Sequence, residues 1–123
     1  MDFTIQSSRP IWQQLTEQLR RRIVTGVYPP GSRFPAVREL AAEAGVNPNT
    51  MQRSVSQLET DGLVITNRTL GRTVTDKVET LEEMRQTLAL ERTEEYFSDM
   101  KELGYDRAAA AALARREGER NDE

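Results

Sequence analysis

Cysteine and histidine are both absent from this chain of 123 residues. Without cysteine there is no disulfide framework and no thiolate nucleophile. Without histidine the chain lacks the commonest general base and the commonest transition-metal ligand. No apolar run is long enough to cross a bilayer, and the first residues do not have the pattern of a secretory signal. We therefore expect a cytoplasmic protein with no membrane segment, no catalytic residue, no metal and no cofactor.

Basic residues are outnumbered overall, since the net charge is −3, but the acidic residues are concentrated in the last part of the chain. Residues 1–75 carry nine Lys/Arg and six Asp/Glu, whereas residues 76–123 carry eight and fourteen. The net charges of the two parts are therefore +3 and −6. This asymmetry would direct DNA towards the first part and away from the second.

The segment Gly31–Asp61 predicts two short helices joined by a tight turn. Pro35 begins the first helix, and Gly45 lies in the turn, where glycine can adopt a positive φ angle without a steric penalty. Asn47 is a favoured N-cap for the second helix, and Pro48 occupies the first helical position, where its missing N–H is not needed. This arrangement is typical of a helix-turn-helix, whose second helix enters the major groove of DNA.

The second helix of this pair has one apolar and one polar side. Met51, Val55 and Leu58 repeat with helical spacing and predict the buried stripe. Polar side chains opposite them can contact base edges or phosphates, and an arginine can bind guanine with two hydrogen bonds. An ordinary solvated helix face is the alternative interpretation. We predict that DNA is contacted in this region by Arg38, Asn47, Asn49, Thr50, Gln52 and Arg53.

Two short β-prone segments follow the second helix. Leu63–Thr66 and Arg72–Thr75 flank a glycine-bearing loop, Asn67–Gly71, and together they predict a hairpin. A hairpin directly after a recognition helix indicates a winged helix. A wing that follows the DNA backbone or the minor groove needs basic residues, although a purely structural hairpin is the alternative. The predicted wing contacts are Arg68, Gly71 and Arg72.

The residues before the helix pair predict an arm and a first helix. Residues 1–9 have no helical pattern, so we expect an extended arm, and the helix should run from about Pro10 to Thr25. Arg20–Arg22 is interpreted as a solvated basic face rather than a set of phosphate contacts. The expected buried stripe of this helix consists of Ile11, Leu15, Leu19 and Ile23.

Four motifs carry a resemblance to a known family. Pro10–Gln14 reads P-I-W-x-Q, close to P-I-Y-x-Q, and Phe34–Ala41 is similar to L-P-S-V-R-E-L-A. Val46–Thr50 reads V-N-P-N-T, and Leu58–Val64 follows L-E-x-x-G-L-I. The chain thus resembles the GntR family of bacterial transcription regulators, specifically its short YtrA-like branch. The resemblance implies a DNA-binding regulator with a short C-terminal dimerisation region, whose targets in this branch are often transporter operons.

The wing departs from the family's usual R-G-x-G-T-F-V. Thr69 replaces the first glycine and Thr73 replaces the aromatic residue, while Arg72 adds a charge. The close approach of this wing to DNA is therefore in question. The departure favours an alternative function, a winged-helix protein-interaction module without specific DNA binding.

The composition becomes helical and acidic after the hairpin. Thr80 is a plausible N-cap for a long helix that ends at Gly104, and Asp106 is a plausible N-cap for a final helix that begins at Arg107. The long helix has two apolar stripes, one of Leu81, Met84 and Leu88 and one of Ala89, Thr93, Tyr96, Met100 and Leu103. Two helices of one chain cannot bury both, so a second copy is expected to cover the remainder. A small-molecule site lined by aromatic residues and methionine is the alternative. The predicted dimer interface consists of Leu88, Tyr96, Phe97, Met100, Leu103 and Leu113.

Together these patterns predict a mainly α fold with a small β-hairpin. Residues 1–76 should form a winged helix-turn-helix domain that binds double-stranded DNA, and residues 77–123 a two-helix C-terminal dimerisation region. The expected protein is a homodimeric, sequence-specific transcription regulator that represses from an inverted-repeat operator. A small-molecule effector is possible, but no motif indicates one.

Overall fold

The computed structural model describes residues 2–120, and within this range it contains five helices and one antiparallel hairpin. The helices are α1 Ile11–Val24, α2 Val37–Ala44, α3 Pro48–Thr60, α4 Val78–Glu102 and α5 Arg107–Gly118. The strands are β1 Val64–Asn67 and β2 Gly71–Val74. The predicted mainly helical fold, with a helix-turn-helix followed by a wing, is confirmed.

The hydrophobic core joins α1, α2, α3 and the hairpin. Its buried members include Leu15, Leu19, Ile23, Leu40, Met51, Val55, Leu58, Leu63 and Val74. The prediction for Ile11 is wrong, because this side chain is 41% exposed. Gln14 is buried in the same part of α1 instead, and its amide group binds the N-terminal arm.

The N-terminal arm is fixed to α1 by two glutamine side chains. The Gln14 amide accepts from the Gln6 N–H at 2.7 Å and donates to the Gln6 carbonyl at 2.6 Å. The Gln18 amide makes the same pair of bonds with the backbone of Thr4, at 2.8 and 2.6 Å. Each side-chain amide therefore replaces the peptide group that a neighbouring strand would offer to an extended segment.

The three arginines of α1 are not one solvated basic face, so that interpretation is wrong for two of them. Arg20 binds Asp61 through two hydrogen bonds, at 2.8 and 2.9 Å. Arg22 is buried, lies over the Phe3 ring at 3.9 Å, and donates to Glu43 Oε2 at 2.7 Å. Only Arg21 is exposed, because the other two point towards α2, α3 and the arm.

The buried Arg22 guanidinium has hydrogen-bond partners on neighbouring elements. It also donates to the Tyr28 hydroxyl at 2.5 Å. Burial raises the pKa of the Tyr28 phenol, although the nearby Arg22 opposes this shift. The cluster therefore connects the arm, the loop after α1 and helix α2 around one buried positive charge.

The long helix begins earlier than predicted, so Thr80 is not its N-cap. The Leu81 N–H donates to the Lys77 carbonyl at 3.3 Å, which closes a helical turn before Thr80. The hydroxyl of Thr75 accepts from the Lys77 N–H at 3.2 Å and supports the chain where the helix starts. Leu81 and Met84 of α4 pack against the hydrophobic core.

The contacts divide the chain into two compact units, one up to Arg85 and one from Gln86. In the second unit, Gly104 has a φ angle of 93° and ends the turn after α4. Asp106 caps α5 by accepting from the Ala109 N–H at 2.8 Å, as predicted. The Tyr96 hydroxyl donates to the Ala110 carbonyl at 2.7 Å and joins the two helices.

Candidate nucleic-acid interface

The turn between α2 and α3 is closed by backbone geometry. Gly45 has a φ angle of 69°, and the Val46 N–H returns to the Ala41 carbonyl at 3.0 Å. The Asn47 side chain then accepts from the Asn49 N–H at 2.7 Å, which satisfies one of the free donors at the start of α3. The predicted turn and the predicted N-cap are both confirmed, and they fix the direction in which α3 leaves the core.

Helix α3 leaves its polar side open. Its buried residues are Met51, Ser54, Val55 and Leu58. Of the predicted contact residues, Asn47, Asn49 and Arg53 are exposed, while Thr50 and Gln52 are half-buried. The Gln52 amide nitrogen donates to the Ser56 hydroxyl at 3.1 Å, one turn further along the same surface. The exposed Arg38 lies in the first turn of α2. These residues are thus available to a partner, and their contact with DNA stays a prediction.

Arg53 lies over an aromatic ring. Its guanidinium carbon is 4.1 Å from the centroid of the Trp12 ring. Trp12 is half-buried in the first turn of α1, and its carbonyl accepts from the buried Ser54 hydroxyl at 2.7 Å. Trp12 therefore contacts α3 through both its backbone and its ring. Sequence analysis missed this role, although an aromatic residue in the motif Pro10–Gln14 offered a signal.

The wing is a short hairpin whose turn is held by one side chain. Asn67 pairs with Gly71, and the Asn67 side-chain oxygen accepts from the N–H groups of Thr69 and Leu70 at 2.9 and 3.0 Å. Gly71 has a φ angle of 79°, which explains why glycine is kept here although the first wing glycine is lost. Arg68, Leu70 and Gly71 are exposed at the tip.

Arg72 differs from the other predicted wing contacts because it faces a carboxylate. Its Nε lies 3.5 Å from Glu59 Oε1, and its side chain is only 31% exposed. The second oxygen of Glu59 accepts from the Thr66 hydroxyl at 2.6 Å. Glu59 therefore joins the end of α3 to both strands of the wing. Sequence analysis did not identify this role, because no local pattern brings residues 59, 66 and 72 together.

The arginines of the winged helix fall into two groups. Arg9, Arg20, Arg22 and Arg72 are paired with carboxylates. Within residues 2–120, no ion pair engages Arg38, Arg53 or Arg68, and all three are exposed. A guanidinium without a carboxylate keeps its charge and its donors for phosphate or guanine. Among the described residues the same holds for the exposed Arg21 and Arg33, so the electrostatics are compatible with the three predicted contacts but do not single them out.

The predicted interface residues of the second unit lie in different environments. Leu103 is 72% exposed, whereas Leu88, Met100 and Leu113 are half-buried. Tyr96 and Phe97 meet edge to face at 5.5 Å, and Arg107 lies over the Phe97 ring at 4.2 Å. These two aromatic residues thus join α4 to α5 within one chain. Leu90, which sequence analysis did not single out, is 59% exposed.

Helix α4 has no buried residue along its 25 positions. None of the described helices combines the length and the apolarity that a bilayer crossing requires. The described residues also contain no group of three or more metal-binding side chains.

Comparison with known proteins agrees with this geometry. The model of the bacterial regulatory proteins of the gntR family matches residues 12–74. The chain is 41% identical over 104 residues to the HTH-type transcriptional regulator YhcF of Bacillus subtilis, covering 85% of this chain and 86% of YhcF. It is 32% identical over 101 residues to the HTH-type transcriptional repressor YtrA of the same organism, covering 81% and 78%.

A solved structure has the same fold over almost its whole length. The GntR family transcriptional regulator from Listeria monocytogenes superposes with a TM-score of 0.79 at 32% identity, covering 91% of this chain and 98% of that one. Fold and relatives agree, and the chain belongs to the GntR family of DNA-binding transcription regulators, as a YtrA-like member.

Proposed function

We propose that the protein is a homodimeric repressor that binds an inverted-repeat operator. Each α3 enters a major groove, and the two half-sites lie about one helical turn apart, because a two-fold dimer presents its recognition helices with that spacing. The observation that carries the proposal is the open polar side of α3, where Arg53 has no carboxylate partner within residues 2–120.

Base recognition is assigned to the first two turns of α3. Asn49 and Arg53 are exposed there, and Thr50 and Gln52 lie beside them. Asn47 contributes the amide nitrogen that its capping bond leaves over. Asparagine and glutamine suit adenine, and arginine suits guanine, so this set can distinguish bases rather than only bind phosphate.

Backbone contacts are assigned to the elements on either side of α3. Arg38 at the start of α2 and Arg68 at the wing tip are exposed cations without ion pairs among the described residues. Gly71 lets the wing backbone approach the duplex without a side chain. Arg72 also contributes positive charge, but the nearby Glu59 carboxylate partly neutralises it.

Dimerisation is supported by the unburied helix α4. A helix of this length ordinarily gains most of its stability from tertiary packing, yet α4 has no buried residue within one chain. Leu103 and Leu90 are exposed, and Leu88 and Met100 are only half-buried. A second copy that covers these side chains would supply the missing burial. Repression is supported by the named activity of YtrA, a repressor at 32% identity.

The DNA-binding proposal is tested with a duplex that the wild-type protein enriches from a random pool. Arg53→Ala should reduce the discrimination between this duplex and a random one by about 1–3 kcal/mol, because a base-reading arginine is lost. Arg92→Ala, an exposed arginine of α4, is the matched control for loss of one charge. An equal loss on both duplexes would assign Arg53 to a phosphate instead.

The dimer is tested by placing charges on the exposed part of the second unit. Leu88→Glu combined with Leu103→Glu should give a monomer in analytical ultracentrifugation, because two carboxylates would lie in an apolar interface. Leu70→Glu, an exposed leucine of the wing, is the control and should leave the dimer intact. A double variant that still sediments as a dimer would refute this interface.

Repression is tested with a reporter gene whose promoter overlaps the enriched sequence. Expression should fall when the protein is produced and recover with Arg53→Ala. Increased expression would identify an activator and refute this part of the proposal.

The pairing of Arg72 with Glu59 favours a second candidate, a winged-helix protein-interaction module. Its wing would lack a free cation at this position. The enrichment experiment distinguishes the two, because such a module would select no sequence from the random pool.

A further inference from the structure

We infer that Trp12 is a positioning residue for DNA recognition, because its ring holds the Arg53 guanidinium in place before DNA arrives. This inference rests on the proposed function of Arg53. It adds a residue of α1, outside the helix-turn-helix, to the set that determines base specificity.

Trp12 is fixed with respect to α3 by hydrogen bonds to its backbone. The Trp12 carbonyl accepts from the Thr16 hydroxyl and from the Ser54 hydroxyl, each at 2.7 Å. Ser54 is fully buried and adjoins Arg53 in the sequence. The base of the Trp12 side chain is therefore attached to the same turn of α3 that carries the arginine.

The Trp12 ring supplies the contact that orders Arg53. An exposed arginine side chain has many rotamers, and much of that freedom is lost when it binds a base. With the guanidinium carbon 4.1 Å from the ring centroid, the positive charge is attracted to the face of the indole. Because the Arg53 side chain is already partly ordered in the free protein, it loses less conformational entropy when it binds DNA.

The stacked contact leaves the arginine able to bind. Within the described residues no hydrogen bond or ion pair engages the Arg53 guanidinium, and the residue is exposed. An attraction between the charge and a ring face does not consume the N–H donors that guanine or phosphate requires. Trp12 thus replaces the carboxylate that would otherwise hold, and also neutralise, an arginine at this position.

Fluorescence tests the contact in the free protein. Trp12 is the only tryptophan of the chain, so its emission reports on this site alone. Removing the cation with Arg53→Ala should change the intensity or the wavelength of that emission, whereas Arg92→Ala should not. Identical spectra for wild type and Arg53→Ala would overturn the inference. Both variants alter exposed side chains, so the comparison is made on folded protein.

A double-mutant cycle tests the effect on recognition, with the duplex enriched by the wild type and a random duplex as the two ligands. Trp12→Leu should lower the ratio of the two affinities about two- to fivefold, the size expected for an exposed cation–π contact. Trp12→Phe should keep most of the ratio, because a ring face remains. In an Arg53→Ala background, Trp12→Leu should have no further effect on the ratio.

Two results of the double-mutant cycle would overturn the inference. The first is a loss with Trp12→Leu that persists in the Arg53→Ala background. The second is an equal loss for Trp12→Leu and Trp12→Phe. Ile11→Ala, an exposed neighbour in the same turn of α1, should leave the ratio unchanged.

Failure of the proposed function would appear differently. A wild-type protein that enriches no duplex would remove Arg53 as a base reader and the recognition role of Trp12 with it. The fluorescence comparison would still show whether the contact itself forms. A wild type that discriminates normally while Trp12→Leu has no effect would refute only the positioning role.

Discussion

Breaking the ion pair between α1 and the end of α3 should destabilise the winged helix strongly. Arg20 Nε and Nη2 lie 2.8 and 2.9 Å from the two oxygens of Asp61. The two side chains are 22% and 9% exposed. Asp61 follows the last residue of α3, where a lone carboxylate is unfavourable because the helix dipole is negative there.

The expected magnitude lies between two limits. Exposed ion pairs contribute about 0–1 kcal/mol, and removing one partner of a fully buried pair costs about 3–5 kcal/mol. Arg20→Ala leaves the nearly buried Asp61 with a single hydrogen bond of 3.1 Å from Gln57. We therefore expect a loss of about 2 kcal/mol in the free energy of unfolding. For a unit of this size that corresponds to a fall of about 10 °C in Tm.

The assay is urea unfolding followed by circular dichroism at one fixed protein concentration, since dimerisation makes stability concentration-dependent. Arg21→Ala is the matched control, because Arg21 is the exposed neighbour of Arg20. The double variant with Asp61→Ala should show a coupling energy above about 1 kcal/mol. If Arg20→Ala were no less stable than Arg21→Ala, the assignment of this pair as a major contact between α1 and α3 would be refuted.

Three further variants test local features. Gly45→Ala should lower the free energy of unfolding by about 1 kcal/mol, because alanine is strained at a φ angle of 69°. The added methyl group would meet no neighbouring atom, so the strain would come from the backbone alone. Unchanged stability would contradict this account of the turn. Asn47→Ala should cost about 1 kcal/mol, and Asn47→Asp should cost much less, because only the former removes the cap; thermal unfolding measures both. Glu59→Gln should raise the affinity for random DNA, because Arg72 would become free to contact a phosphate. The plot of log affinity against log salt concentration should become steeper by about one unit of slope. An unchanged slope would remove Arg72 from the interface.

The helix-turn-helix could be predicted because its signals are local. The cap at Asn47, the positive φ of Gly45 and the apolar spacing of α3 each depend on residues within a few positions of one another. The same holds for the wing, whose turn residues Asn67 and Gly71 are four positions apart. In these regions local preference and the final fold agree, so a reading of the sequence sufficed.

The contacts that the sequence did not predict join residues distant along the chain. Arg20 and Asp61 are 41 residues apart, and Ser54 meets the carbonyl of Trp12 over 42 residues. Helical spacing alone could not separate the paired arginines of α1 from the exposed one. It also placed Ile11 in the core, whereas the structure buries Gln14, whose hydrogen bonds to the arm apolar periodicity does not detect.

The attachment of residues 2–9 to α1 has a consequence for how the winged helix can be shortened. A fragment trimmed to residues 12–74, where similarity to the family is recognised, would lose the backbone groups that Gln14 and Gln18 bind, and the ring beneath Arg22. The two amides would then lose their backbone partners, and Arg22 would lose its ring contact while it keeps Glu43 and Tyr28. The smallest self-sufficient version of this fold therefore starts well ahead of its first helix.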